Sequence, residues 1–217
     1  KSAEARDIEL YPLVKLHYVE VTEPDMHDPS GDLQRLQAAL AREWQLADLQ
    51  CDRSVLQQLQ AVLRKGGWRV TVAVHDASRI IAVWPGFHDE SFGLALDVGS
   101  TTIAAHLCDL ASGEVVASAG RMNPQIRFGE DLMSRVSYVM LNAGAEKELT
   151  RAARGCLAKL TAELANEAGV DRADVLEVTL VGNPVMHHLL LGVSPTELGG
   201  APFALAFDTG LRLRAAE

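Results

Sequence analysis

Six consecutive residues, Asp97 to Thr102 (DVGSTT), are of types that can hold a phosphate group and its metal ion. Gly99 lacks a Cβ, so the backbone can pass close to a phosphate oxygen. Ser100, Thr101 and Thr102 offer hydroxyl and backbone N–H donors to phosphoryl oxygens. Asp97 can hold a water of Mg²⁺, which keeps several waters in proteins, or orient an attacking water. The segment therefore predicts a catalytic carboxylate beside a phosphate-binding turn.

A plain hairpin turn is the alternative interpretation, because Gly, Ser, Thr and Asp are common in tight turns. The neighbouring sequence favours the phosphate interpretation. FGLALDVG (92–99) predicts a strand that ends at the turn, while TIAAHLCDL (102–110) and EVVASAGRM (114–122) predict two more strands. The turn would thus join the first two strands of a meander.

Helices and one more strand are predicted after this meander. Residues 131–142 and 146–169 have the apolar spacing of helices, the second ending at Gly169. LEVTLVGN (176–183) is almost continuously apolar, which predicts a strand buried on both faces. A short helix is predicted over 184–192. The resulting order, β-β-β-α-β-α, is that of one lobe of a ribonuclease-H-like or actin-like domain.

Five further polar residues stand where the predicted elements begin or end: Asn123, Gln125, Glu130, Asp131 and Asn183. Asn183 follows a strand at its carboxyl end, where open α/β sheets bind ligands. Each residue also has a structural alternative. Loop amides cap backbone groups, acids suit a helix N-terminus, and Asn is a good N-cap.

The remaining histidines and methionines are predicted to be structural. His187 and His188 are adjacent, so they face different ways on a helix and cannot form an i, i+4 metal pair. Four methionines are predicted to fill the core: Met122, Met133, Met140 and Met186.

Composition limits the classes of partner. The 217 residues carry a net charge of −9, which disfavours nucleic acid and anionic membranes as partners. The three cysteines, Cys51, Cys108 and Cys156, are widely spaced and odd in number, which favours a reducing compartment such as the cytoplasm. Three thiols cannot supply the four thiolates of a [2Fe–2S] ferredoxin cluster.

The chain before residue 86 predicts a separate small unit. A strand over 13–21 is followed by helices over 32–44 and 54–65 and a hairpin over 68–85, in the order β-α-α-β-β. Asp32 or Ser30 is the expected N-cap of the first helix. PGFHDES (85–91) reads as a linker. The predicted fold is therefore α/β (α+β), with a small α+β domain over 1–88 and a truncated actin-like lobe over 89–217.

Three stretches resemble a known family. FGLALDVGSTTIAAHLCDLASGEVV (92–116) is similar to the first phosphate motif of the acetate kinase, sugar kinase, Hsp70 and actin superfamily. NPQIRFGEDLMSRV (123–136) and VTLVGNPVMHHLLLGVSP (178–195) resemble the C-terminal, actin-like domain of the reductive activators of corrinoid proteins. The unit over 1–88 is similar to the middle domain of those activators.

The resemblance implies an ATP- and Mg²⁺-dependent activator. In that family a [2Fe–2S] ferredoxin domain delivers electrons to a corrinoid cobalt, and ATP hydrolysis makes the reduction possible. The implied partner is a corrinoid protein or a corrinoid-dependent methyltransferase, and a homodimer is compatible with it. Asp97 and residues 99–102 are implied to form the phosphate and metal side of the site. Asn123, Gln125, Glu130 and Asp131 fall in the family's NPQ…GED stretch, which implies a place at the cleft.

The sequence departs from the family pattern in two ways. It lacks the ferredoxin cysteines, and a second phosphate motif with the adenosine pocket would follow residue 217. We therefore expect a piece of a longer protein, inactive as an ATPase by itself. Two alternatives remain open: a sugar or small-acid kinase of the same superfamily, and a non-enzymatic interaction or dimerisation module with a vestigial phosphate turn.

Overall fold

The computed structural model describes residues 10–214, which form two compact units. The first unit contains residues 10–93 together with residues 109–114 and 173–177. The second unit contains the remaining residues. Two four-stranded sheets are present in the described part of the chain.

The first sheet has two helices between its strands. Its elements are β1 (Val14–Glu20), α1 (Asp32–Trp44), β2 (Gln50–Cys51), α2 (Arg53–Lys65), β3 (Arg69–His75) and β4 (Arg79–Pro85). The strand order is β1-β3-β4-β2, with β2 parallel to β4 and the other pairs antiparallel. The predicted β-α-α-β-β order is confirmed except for β2, whose two residues are too few to show an apolar alternation.

The two helices bury the apolar faces that their spacing predicts. Leu36 and Leu40 of α1 and Leu59 and Leu63 of α2 are at most 3% exposed. They belong to one core with the alternate residues of β3, such as Val72. The apolar residues that recur every 3.6 positions in the helices therefore pack against those at every second position of the strand, in a single apolar layer.

The predicted side-chain cap of α1 is wrong. The N-cap position is Gly31, in extended conformation with φ −73° and ψ 158°, and no side chain caps the helix. Asp32 lies one position further on and forms an ion pair with Arg64 at 2.8 Å. An acid in the first turn is still favourable there, because it faces the positive end of the helix dipole.

The second sheet carries the predicted β-β-β-α-β-α order. Its elements are β5 (Phe92–Val98), β6 (Thr102–Asp109), β7 (Val115–Met122), α3 (Leu132–Leu141), α4 (Glu146–Ala168), β8 (Val175–Gly182) and α5 (Pro184–Leu191). The strand order is β7-β6-β5-β8. A short 3-10 helix over Pro124–Phe128 lies between β7 and α3. The predicted fold class is confirmed.

Helix α4 is the longest element, and it ends as predicted. Its inward face includes Leu149, Leu160 and Leu164, each fully buried. Gly169 ends the helix in the left-handed conformation, with φ 70°. This conformation favours glycine, because the Cβ of any other residue would be crowded by the backbone.

The predicted strand over 176–183 is confirmed as β8, but its predicted burial on both faces is wrong. β8 is an edge strand of the described sheet, and none of its residues is fully buried. Val178 is 50% exposed and Val181 is 57% exposed. The run of aliphatic residues therefore predicts the strand correctly, but it does not predict how far the strand is buried.

The methionine prediction is correct only for Met186, which is 1% exposed. Met122, Met133 and Met140 are each at least half exposed. Met122 ends β7, and the other two lie on the outer face of α3. Within the described residues, no helix combines the length and apolarity that crossing a bilayer would require.

Helix α2 offers a test of this core assignment. Leu63→Ala removes a fully buried side chain, so we expect it to lower the free energy of unfolding by about 2–5 kcal/mol. Leu56→Ala on the same helix removes a side chain that is 46% exposed, and we expect a loss below about 1 kcal/mol. Urea unfolding measures both variants, and equal losses would contradict the assignment.

Candidate phosphate-binding site

The turn between β5 and β6 is closed by one backbone hydrogen bond. The N–H of Gly99 donates to the carbonyl of Thr102 at 3.0 Å. A Cβ built on Gly99 would lie 2.7 Å from that same oxygen, closer than real Cβ atoms approach. Gly99 is therefore required for closure of the turn itself, whatever the turn binds.

All four carbonyl oxygens of the turn accept hydrogen bonds from the protein. The side-chain amide of Asn123 donates to Gly99 O at 2.8 Å, and its backbone N–H donates to Thr101 O at 2.8 Å. A guanidinium N–H of Arg135 donates to Ser100 O, and Thr102 O accepts from Gly99. The negative ends of the peptide dipoles are thus turned into the protein.

The N–H donors of the turn, unlike its carbonyls, are mostly left unbonded by the described residues. The backbone N–H groups of Ser100 and Thr101 have no acceptor among residues 10–214, and Thr101 and Thr102 are exposed. The exposed carboxylate of Asp97, at the end of β5, has no partner within the same range. Consecutive free N–H groups form an anion-binding concavity. The turn therefore has the polarity of a phosphate site with one carboxylate beside it.

Arg135 supports the turn from the interior of the protein. It is 0% exposed, and it donates to Gly129 O at 3.0 Å, to Gln125 Oε1 at 3.4 Å and to Met186 Sδ at 3.3 Å, besides Ser100 O. Burial lowers the pKa of the guanidinium, and the Asp131 carboxylate raises it. Arg135 remains a cation, because arginine is not deprotonated in proteins. A buried charge is thus stabilised by oxygens and a sulfur from four segments.

Asn123 and Gln125 follow β7 and are buried, at 0% and 1% exposure. Asn123 Oδ1 caps the 3-10 helix by accepting from the N–H of Gln125 at 2.9 Å. Gln125 Nε2 donates to the carbonyl of Leu149 on α4 at 3.0 Å. Both amides are used by the protein itself: Asn123 positions the turn directly, and Gln125 acts on it through Arg135.

Glu130 and Asp131 lie at the start of α3 and are exposed. Asp131 is the N-cap of that helix, its Oδ1 accepting from the N–H of Ser134 at 2.7 Å. Hydrogen bonds from Ser134 lower the pKa of the Asp131 carboxyl group, so it stays ionised at neutral pH. Glu130 has no partner among the described residues.

Asn183 lies beside the turn as the N-cap of α5. Its Oδ1 accepts from the N–H of Val185 at 2.9 Å. A Cβ on the preceding Gly182 would lie 3.0 Å from Val98 O, so the ends of β8 and β5 approach closely. This approach places the exposed Asn183 near the residue that precedes the turn. Its predicted role at the cleft stays a prediction.

His188 is structural, as predicted. It is 1% exposed, with Nδ1 2.7 Å from Pro184 O, and its Nε2 accepts from the N–H of Ala206 at 3.1 Å. Its ring stacks on Phe207 at 4.6 Å between centroids.

The cysteines lie on separate elements: Cys51 on β2, Cys108 on β6 and Cys156 on α4. Burial raises the pKa of each thiol, which disfavours the thiolate that binds iron. Among residues 10–214, no three His, Cys, Asp or Glu side chains converge as metal ligands would. These residues do not fit an iron–sulfur cluster.

Sequence reasoning missed Arg135 as a site residue. A signal was available, because Arg135 stands with Val136 and Val139 on the buried face of α3. A charged residue at an inward helical position requires polar partners in the interior. The partners themselves, such as Met186, are up to 51 residues away, and no local pattern identifies them.

The fold and the turn define an actin-like domain, and comparison with known proteins specifies the family. A family model described as the RACo linker region matches residues 3–90, and one described as the RACo middle region matches 92–217. The chain belongs to the RACo family of corrinoid reductive activators. The part of the chain that matches the RACo middle region is 92–217. The unit over 1–88, which the sequence comparison likened to the middle domain, matches the linker region instead.

Two relatives support this assignment. The corrinoid activation enzyme RamQ of Eubacterium limosum is 30% identical over 154 residues, which cover 70% of this chain and 26% of RamQ. A solved reductive activator for corrinoid, iron-sulfur protein is 32% identical with a TM-score of 0.79, covering 93% of this chain and 33% of that one. The chain thus spans about a quarter to a third of these relatives.

The support of the turn by Arg135 can be tested by substitution. Arg135→Met keeps much of the side-chain volume but leaves two half-buried carbonyls and the buried Gln125 Oε1 without their donor, so we expect the free energy of unfolding to fall by about 2–5 kcal/mol. Arg172→Met, at an exposed position, is the control and should change it by less than about 0.5 kcal/mol. Hydrogen exchange at the bonded N–H groups of Gly99 and Asn123, which donate to carbonyls of the turn, should accelerate only in Arg135→Met. Unchanged exchange there would contradict the role.

Proposed function

We propose that this chain supplies one phosphate- and Mg²⁺-binding lobe of an ATP-dependent, iron–sulfur-linked activator of a corrinoid protein. The polarity of the turn carries this proposal. Its four carbonyls accept bonds from the protein, while the N–H groups of Ser100 and Thr101 and the turn's hydroxyls are left for an anion. Membership of the RACo family supports the choice of an activator over a sugar kinase.

Each residue of the turn has a distinct role in this proposal. Ser100, Thr101 and Thr102 donate to phosphoryl oxygens, and Gly99 closes the turn that aims these donors. Asp97 orients a water molecule, either one held by Mg²⁺ or the attacking one. Mg-ATP, when bound, supplies the free energy of phosphoryl transfer.

The polar residues around the turn are proposed to act at two levels. Asn123 and Gln125, both buried, keep the turn in its binding conformation. Glu130, Asp131 and Asn183 are exposed, and they form the edge of the cleft. Asp131 and Asn183 also cap helices, so their polar atoms are already oriented by the backbone.

The iron–sulfur chemistry is proposed to lie outside this chain, in a [2Fe–2S] ferredoxin domain of the same protein. The proposed partner is a corrinoid protein or a corrinoid-dependent methyltransferase in the cytoplasm. The names of the two relatives, one a corrinoid activation enzyme and the other an activator for a corrinoid, iron-sulfur protein, support this choice.

Asp97→Asn tests the catalytic assignment in the protein expressed from its complete reading frame. We expect the rate of Mg-ATP hydrolysis to fall by about 100-fold or more, because an amide cannot accept a proton from water. Asp89→Asn, an exposed position away from the turn, is the matched control and should leave the rate unchanged. Phosphate release measures both. An unchanged rate in Asp97→Asn would exclude the proposed role.

The 217-residue chain by itself is expected to bind Mg-ATP weakly, because the second phosphate motif and the adenosine pocket are proposed to lie in another lobe. Isothermal titration calorimetry should give a Kd above about 1 mM, which corresponds to less than about 4 kcal/mol of binding free energy. A micromolar Kd would show that this lobe holds the nucleotide alone.

A further inference from the structure

The exposed side of α4 forms a groove that the proposed nucleotide site does not use. A cavity of about 640 Å³ lies between α4, the end of β7 and the 3-10 helix over Pro124–Phe128. A second cavity of about 430 Å³ lies between α4 and Gly192, just after α5. Both are lined by Arg151 and Gly155, so they adjoin across the helix. We refer to the two together as the α4 groove.

The α4 groove is strongly basic. Six of the chain's 20 lysines and arginines line it: Arg121, Arg127, Lys147, Arg151, Arg154 and Lys159. All six are exposed. The whole chain has a net charge of −9, so this concentration of cations is opposite in sign to the protein as a whole.

Carboxylates of the protein neutralise little of this charge. Glu163 binds Arg121 through both carboxylate oxygens, and Glu148 is the one acid among the residues that line the two cavities. Among residues 10–214, no carboxylate lies within ion-pair distance of Arg127, Arg151 or Lys159. The side chain of Arg127 stacks on Phe128 at 4.6 Å, which holds one of these cations in place.

Gly155 keeps the centre of the α4 groove open. It lies in the interior of a 23-residue helix, where glycine costs about 1 kcal/mol relative to alanine. No steric reason in the described fold requires it, since a Cβ there would meet nothing within 4 Å. A missing side chain between two cavities is typical of a place where another backbone approaches closely.

We propose that the α4 groove binds an extended acidic segment of a partner protein. The length of the groove favours a polypeptide over a compact anion. Lys147 and Lys159 are twelve residues apart on the helix, which is about 18 Å at 1.5 Å per residue. About five or six extended residues span that distance, whereas one phosphate group cannot. A long polyanion such as nucleic acid would extend beyond the groove and meet the net negative charge of the rest of the chain, whereas a segment of five or six residues stays within it.

This inference is independent of the proposed ATPase function, because the α4 groove includes none of residues 97–102 and its test requires no nucleotide. The probe is a fluorescein-labelled peptide of eight glutamates, titrated with the 217-residue chain and followed by fluorescence anisotropy. We expect binding at 50 mM salt that weakens at 300 mM, because salt screens exposed charges.

The test variant is Arg127→Glu with Arg151→Glu, and the matched control is Arg53→Glu with Lys65→Glu. Both make the same change in net charge, but the control positions are exposed on α2, in the other unit. We expect the groove variant to bind the peptide about tenfold or more weakly and the control to stay within about twofold. Arg127→Gln with Arg151→Gln should give a smaller loss, and thermal unfolding checks that each variant is folded.

Three results would overturn the proposal. Equal losses in the groove and control variants would mean that net charge alone attracts the peptide. Unchanged binding in the groove variant would place the peptide elsewhere. Tighter binding of inorganic tripolyphosphate than of the peptide, with the same sensitivity to the groove variant, would assign the groove to a compact anion.

Discussion

The buried guanidinium of Arg135 joins segments that are distant in sequence into one support for the turn at residues 99–102. It donates to the carbonyl of Ser100 in the turn, to the carbonyl of Gly129, to the buried amide of Gln125 and to Met186 of α5. Because the charge is out of contact with water, losing any acceptor would leave it poorly solvated. The conformation of the turn and the packing of α3 and α5 are therefore mutually dependent.

This dependence explains why the polar residues near the turn divide into two groups. Asn123, Gln125 and Arg135 are buried and have their polar atoms bonded within the protein. Asp97, Thr101 and Thr102 are exposed and Ser100 is half-buried, and their side chains have no such partners among residues 10–214. Rigid support combined with unsatisfied donors is what a site for a charged ligand needs, since the donors are oriented before the ligand arrives.

The sequence predicted most of the fold, because most of its elements are long and have a clear period. The leucines of α4 and its terminal Gly169 define that helix, and the residues from Phe92 to Val98 define β5. The elements that could not be predicted depend on distant partners. β2 has two residues and exists only by pairing with β4, and the exposure of Val178 follows from its place at the sheet edge.

For the candidate site, the outward-facing residues were predictable and the supporting ones were not. Hydroxyl residues after an Asp and a Gly are a local pattern, so the turn is visible in the sequence. Arg135 lies 35 residues after the carbonyl that it supports, and only folding brings the two together. A charged residue on the buried face of α3 predicts that Arg135 has polar partners in the interior, but it does not identify the segment that supplies them.

The orientation of the turn also limits the order in which ligands can arrive. Each of its four carbonyl oxygens already accepts a hydrogen bond, so at most the second lone pair of each would be left for a bare cation. With Asp97 as one carboxylate beside the turn, a magnesium ion would have too few protein ligands to bind first. The metal would then arrive as a complex with its phosphate, and free magnesium alone should leave the melting temperature of the chain unchanged.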